Sequence, residues 1–176
     1  MATVTIPLPI PGGLAPDQSG TGNNAATPFK VVSSGAQTAN TPKVTYVHLL
    51  FDQTTDEHWT WQFQLPGDWI SGGTVRLLWG SAVTTGDVIW KAGVEIGVAA
   101  TTDMDAAIFN AADAAAASTV PGTVGQFKET TIALTTTGAA INTMVVLFVG
   151  RDADAAGDTA AGDAQLLAAS FTYSNA

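Results

Sequence analysis

The stretch Trp59-Thr60-Trp61-Gln62-Phe63-Gln64-Leu65 alternates large apolar side chains with polar ones without a break. A period of two belongs to a β-strand with one buried and one wet face, so Trp59, Trp61, Phe63 and Leu65 are expected to point into a core. Pro66-Gly67-Asp68 follows as a turn, and Ser71-Gly72-Gly73 breaks the chain before a second strand at Thr74-Val75-Arg76-Leu77-Leu78-Trp79. After Thr84-Thr85-Gly86-Asp87, the residues Val88, Trp90, Ala92, Val94, Ile96 and Val98 share one face and Lys91 and Glu95 the other, with a bend expected at Gly93 or Gly97.

The same reading extends outward to residues 44–51 upstream and to 126–134, 143–151 and 164–173 downstream. Strand starts spaced by ~8–15 residues, with Gly, Pro, Thr and Asp between them, predict an all-β fold: an antiparallel, jelly-roll-like β-sandwich of seven or eight strands. No helical crossovers are present to build a parallel sheet. The Ala-rich stretch 103–117 reads either as a short helix capped by Thr102 or Asp103, or as a long surface loop.

Residues 1–43 differ from the rest. They carry six of the eight prolines, with Gly12-Gly13, Gly20 and Gly22 in a Thr/Asn/Ser background. Pro7, Pro9 and Pro11 remove backbone donors and fix φ, so the segment is expected as an extended N-terminal arm, with residues 44–176 forming the single β-sandwich domain. A loose tail, an arm gripping a neighbouring subunit and an ordinary N-terminal strand all fit this composition.

Composition narrows the function classes. The 176 residues hold 6 Lys+Arg against 15 Asp+Glu, a formal charge of -9, which disfavours binding to nucleic acid or to an anionic membrane. The absence of cysteine excludes a disulfide scaffold, a thiol nucleophile and thiolate-bound zinc. Two histidines, His48 and His58, leave little material for acid–base chemistry near neutral pH. The longest apolar run, Met144 to Val149, is far short of the ~18 residues of a spanning helix. No basic, unbroken apolar leader opens the chain, so it is expected to stay where it is made.

Three constellations could carry chemistry. Asp152, Asp154, Asp158 and Asp163 lie within twelve residues of a Gly/Ala-rich loop and could supply oxygens to calcium, although their spacing does not match an EF-hand; the alternative is that they bond turn amides and pair with Arg151. Glu57, Glu95 and Glu129 are too scattered to read as a glycosidase pair, and His58, beside Asp56 and Glu57, has no nucleophile motif near it. Four of the five tryptophans share faces with core residues, which leaves Trp69, at a turn, as the exposed or interface candidate.

Two blocks of the chain resemble a class of small tailed-bacteriophage virion proteins, the β-sandwich head-decoration, head-fibre and tail components. The first is Trp59-x-Trp61-x-Phe63-x-Leu65-Pro66-x-Asp68-Trp69, Val75-Arg76-Leu77-x-Trp79 and Thr85-Gly86-Asp87-Val88-x-Trp90. The second is Arg151-Asp152, Asp158-Thr159, Gly162-Asp163-Ala164-x-Leu166-Leu167 and Tyr173. The resemblance implies a non-enzymatic structural protein made in the host cytoplasm. It would be a homotrimeric decoration or cement protein on the capsid exterior that bridges copies of the major capsid protein, with Pro7, Pro9, Pro11 and Trp69 at interfaces. It implies no cofactor unless calcium binds, and neither nucleic acid nor membrane as a partner. The alternative implied by the same resemblance is a tail- or fibre-associated receptor-binding module that holds a carbohydrate on exposed aromatics.

Overall fold

A computed structural model describes residues 1–19, 23–33, 35 and 41–175. Within them the strands are β1 (Thr3–Leu8), β2 (Asn24–Ala25), β3 (Thr27–Val32), β4 (Thr45–Phe51), β5 (Glu57–Gln64), β6 (Trp69–Ser81), β7 (Asp87–Val88), β8 (Trp90–Gly97), β9 (Asp113–Ala114), β10 (Ser118–Thr119), β11 (Lys128–Ala133), β12 (Met144–Arg151) and β13 (Ala164–Asn175). One sheet runs β11-β6-β13-β4-β3, and β1 lies beside the second half of β13; the other runs β2-β5-β12-β8-β9. A two-stranded ladder joins β7 to β10. Apart from the parallel β2–β5 pair, every pairing is antiparallel, and the fold is the expected jelly-roll-like β-sandwich.

The alternation read from the sequence fixes what each sheet turns inward. Trp59 and Trp61 of β5, Trp90, Ala92 and Val94 of β8, and Val145, Leu147 and Val149 of β12 are buried. They face Leu49 and Phe51 of β4, Val75, Leu77 and Trp79 of β6, and Leu166 and Phe171 of β13. Trp90 meets Phe51 and Trp79 edge-on, with ring centroids 5.0 and 5.7 Å away. Burial of each such side chain stabilises the fold by ~1.5–3 kcal/mol.

The N-terminal residues are extended, but the boundary expected at residue 43 does not set them apart from the sandwich. β1 pairs with β13 from Thr3↔Ser174 to Leu8↔Ala169, and Leu8 and Ile10 are buried in the core. A single 3-10 turn, Ile10–Gly12, then carries the chain across to the opposite sheet, where Leu14 bridges Thr60. β3 forms the far edge beside β4. Pro7 suits this course because β1 pairs on one side only, with β13, and Pro9 and Pro11 lie past its end in the 3-10 turn and its cap. Residues 20–22, 34 and 36–40 of the same segment lie outside the described residues.

Residues 103–117 hold no helix. Asp103 closes a turn, its carbonyl accepting from Ala106 N at 3.3 Å and its carboxylate from Asp105 N at 3.1 Å, and the two-residue strands β9 and β10 follow. Alanine favours helix locally, yet a helix this short is stable only with an apolar face to bury, and Ile108 stands 83% exposed.

Candidate functional site

The outer face of the five-stranded sheet carries a groove. Its floor is set by strand pairing: Phe148 of β12 lies opposite Gly93 of β8, and Met144 lies opposite Gly97. A glycine at each point leaves room for the partner side chain to lie across the neighbouring strand; a Cβ on Gly97 would stand 2.8 Å from Met144 Cε. The connection after β8 folds back over this floor. It is tied down by Thr102, whose hydroxyl accepts from Val98 N at 3.0 Å and donates to the Ile96 carbonyl at 3.4 Å. Phe109, from this connection, meets Phe148 edge-on at 4.8 Å, and His58 of β5 meets the same ring at 5.8 Å.

Two cavities result, and Phe109 lines both. The first, about 300 Å³, is bounded by Asp56, Glu57, His58, Lys91, Asn110 and Phe148. The second, about 420 Å³, is bounded by Asn23, Glu95, Met104, Ile108 and Val146. Both fall in the lower part of the ~300–1,000 Å³ range typical of small-molecule sites. Lys91 and Glu95 are two pleats apart on one face of β8, so the cavities follow one another along the strand.

Charge is organised around Lys91. Its Nζ donates to Asp56 and, at 2.9 Å, to Asp152. Asp56 also accepts from Ala153 N at 2.7 Å, which fastens the β4–β5 turn to the loop after β12. Burial pulls the Lys91 ammonium down, but its bonds and charge contacts with Asp56 and Asp152 outweigh this and hold its pKa above the usual value. Burial and the nearby Lys91 charge lower His58 from 6.5, so it is neutral at pH 7. Burial raises Glu57, although the Asp52 N–H bound to its carboxylate at 2.8 Å works the other way.

The four aspartates proposed as a calcium set do not share one place. Asp152 and Asp154 meet Asp56, their carboxylate oxygens within 4.8 Å of one another. Asp158 is directed elsewhere: its carboxylate grips Arg151 Nη2 at 2.7 Å and Nε at 3.0 Å and accepts from Ile89 N at 3.0 Å, with both side chains almost wholly buried. Asp163 uses its backbone carbonyl to accept from Ala82 N and Ser81 Oγ, and its charge helps to raise Glu57. Calcium needs ~6–8 oxygens, and two of the trio, Asp56 and Asp152, are already held by Lys91.

Pro7, Pro9 and Pro11 are exposed along β1 and the 3-10 turn, and the Pro9 carbonyl accepts from Trp61 Nε1 at 2.9 Å. Trp69 opens β6, packs partly against the core and donates to the Gly72 carbonyl at 3.3 Å. Glu129 pairs with Arg76 on the surface. The other four tryptophans are core, as expected, so the aromatic surface of the groove comes instead from Phe109 and Phe148. Neither was legible as a site residue, because Phe148 sits inside the apolar run 144–149 and Phe109 inside the Ala-rich stretch.

No protein-family profile matches the chain, and no curated protein matches it in sequence. Solved structures resemble the chain at a distance. The K1 cleaved adhesin domain of Lys-gingipain from Porphyromonas gingivalis is 14% identical, with 99% of this chain and all of that one covered and a TM-score of 0.48. A xylan-binding domain from Paenibacillus barcinonensis is 9% identical over 92% of this chain and 93% of its own, TM-score 0.45. A Caldicellulosiruptor saccharolyticus module solved in complex with mannohexaose is 9% identical over 97% and 96%, TM-score 0.39.

Proposed function

We propose that this chain is a non-enzymatic carbohydrate-binding β-sandwich module whose ligand lies along the groove on the five-stranded sheet. The observation that carries the reading is the pair of consecutive cavities that share Phe109, the first of them also lined by Phe148. A sugar presents an apolar C–H face and a rim of hydroxyls. Aromatic side chains meet the first, while Asn110, Asn23, Asp56 and Glu95 offer donors and acceptors for the second. An elongated groove suits several sugar units in a row better than it suits a compact ligand.

Of the two functions suggested by the sequence, capsid decoration and glycan binding, the groove favours the second. The likeness of residues 59–173 to virion proteins supports a tail- or fibre-associated setting for such a module, where many copies would add weak contacts together. The test is electrophoresis of the full chain in native gels that contain soluble polysaccharides. Retardation by at least one, abolished by Phe109→Ala with the thermal midpoint unchanged, is the expected result. Unretarded migration in every polysaccharide would overturn the reading.

A further inference from the structure

Resting on that carbohydrate-binding reading, the lining of the groove also points to the class of glycan. We propose that it takes glycans free of carboxylate and sulfate groups, and that it holds an amino-bearing glycan more tightly than the uncharged counterpart.

Among the described residues, Lys91 is the single cation lining either cavity, and its ammonium is already held by two carboxylates. Asp154 brings a third carboxylate to the same cluster. Glu57 stands beside it in the first cavity and Glu95 in the second, while His58 contributes no charge at pH 7. An anionic sugar entering here finds no cation to receive it unless it strips Lys91 from Asp56 and Asp152. It also brings its own charge against Asp56, Glu57 and Glu95 in a partly desolvated cleft, where like charges repel more strongly than in water. The chain as a whole, at -9, repels it during approach. An ammonium on the sugar is instead attracted by the Glu57 and Glu95 carboxylates that line the groove and by the net charge of the chain, and among the described residues Lys91 is the one lining cation that opposes it.

The experiment is binding of the full chain to an array of oligosaccharides from chitin, its deacetylated amino form, galactan, pectin-derived uronates and sulfated glycans, at low and at physiological salt. Expected are signals confined to the uncharged and amino-bearing oligosaccharides, the amino form ahead of its acetylated counterpart by at least a few-fold. Glu95→Gln and Asp154→Asn should each shrink that lead, and Asp154→Asn should do so with uncharged glycans unaffected, because Asp154 lines neither cavity. A uronate or a sulfated glycan among the bound set would overturn the proposal. So would an amino form that gains nothing over its counterpart, or that ignores both variants and the salt. A silent array is a different failure, since it removes the carbohydrate-binding reading itself.

Discussion

Phe148 lies directly across Gly93 on the neighbouring strand, so closely that a Cβ built on the glycine would stand 2.6 Å from the ring's Cε1 and 3.2 Å from Cζ. The glycine is therefore what allows an aromatic ring to lie flat as the floor of the groove. In turn, Phe148 covers backbone that a glycine would otherwise leave open. Gly93→Ala is expected to force the ring off this position, with an overpacking cost of ~1–3 kcal/mol. Urea denaturation should show a lower midpoint, and polysaccharide retardation should weaken with it. A variant that keeps both properties would mean that Phe148 rotates freely and is no floor.

Arg151 ends β12 on the inward face, after Val145, Leu147 and Val149, and is fully buried. Its guanidinium is satisfied by Asp158 and by the carbonyls of Ala160 at 2.8 Å and Gly162 at 2.9 Å. It thus closes one end of the sandwich by folding the loop after β12 back over the core. Arg151→Met leaves Asp158 charged and buried, which costs ~3–5 kcal/mol. The double variant Arg151→Met with Asp158→Leu should recover only part of this, because the two carbonyls lose their donors and Ile89 N loses its acceptor. Chemical denaturation of both variants checks the order.

The strands were legible because one face of each is core and the other wet, as at Trp59–Leu65. The groove was not, for reasons that lie in the residues. Both faces of β12 are apolar, so Val146 and Phe148 read as core beside Val145 and Leu147, and nothing local shows that a loop and not a second sheet covers them. Asp56 and Ala153 are bonded across 97 positions of sequence, a pairing with no local signal. The N-terminal prolines announced extended backbone correctly, but composition could not reveal that Leu8 and Ile10 fit between the sheets.

Lys91 connects these distant parts, and its removal should create a dependence on calcium. Lys91→Met leaves Asp56, Asp152 and Asp154 close together without a counter-charge. Calcium is expected to raise the thermal midpoint of this variant and to leave that of the parent chain nearly unchanged. The comparison is a melting curve with added calcium and another with a chelator. A large calcium shift in the parent chain would instead make the trio a metal site in its own right.

Removal of residues 1–13 takes away β1, two core side chains and the acceptor for Trp61 Nε1. Leu8 and Ile10 alone contribute ~1.5–3 kcal/mol each. The truncated chain should melt at a clearly lower temperature than the full one, with faster amide exchange along the Ala169–Ser174 half of β13. An unchanged melting temperature would mean that the segment is a detachable arm after all.

Both histidines favour the neutral form in the fold, and this sets the direction of acid sensitivity. Burial alone lowers His48, whose two ring nitrogens are buried without hydrogen-bond partners among the described residues, between Phe29 and Tyr46; burial and then Lys91 lower His58. Their folded pKa values lie below the unfolded 6.5, so as the pH drops below about 6.5 the unfolded chain takes up protons that the folded chain refuses. Stability is therefore full above that pH and declines beneath it, by up to ~1.4 kcal/mol per pH unit for each histidine until its folded pKa is reached. Glu57 acts in the opposite sense, since its raised carboxyl lets the folded state gain stability as the pH falls toward 4.5. His48→Phe keeps the aromatic contacts and removes one of the two protons. Urea midpoints measured between pH 7.5 and 5 should then fall less steeply than those of the parent chain, and an unchanged slope would exclude His48 as a source of the acid sensitivity.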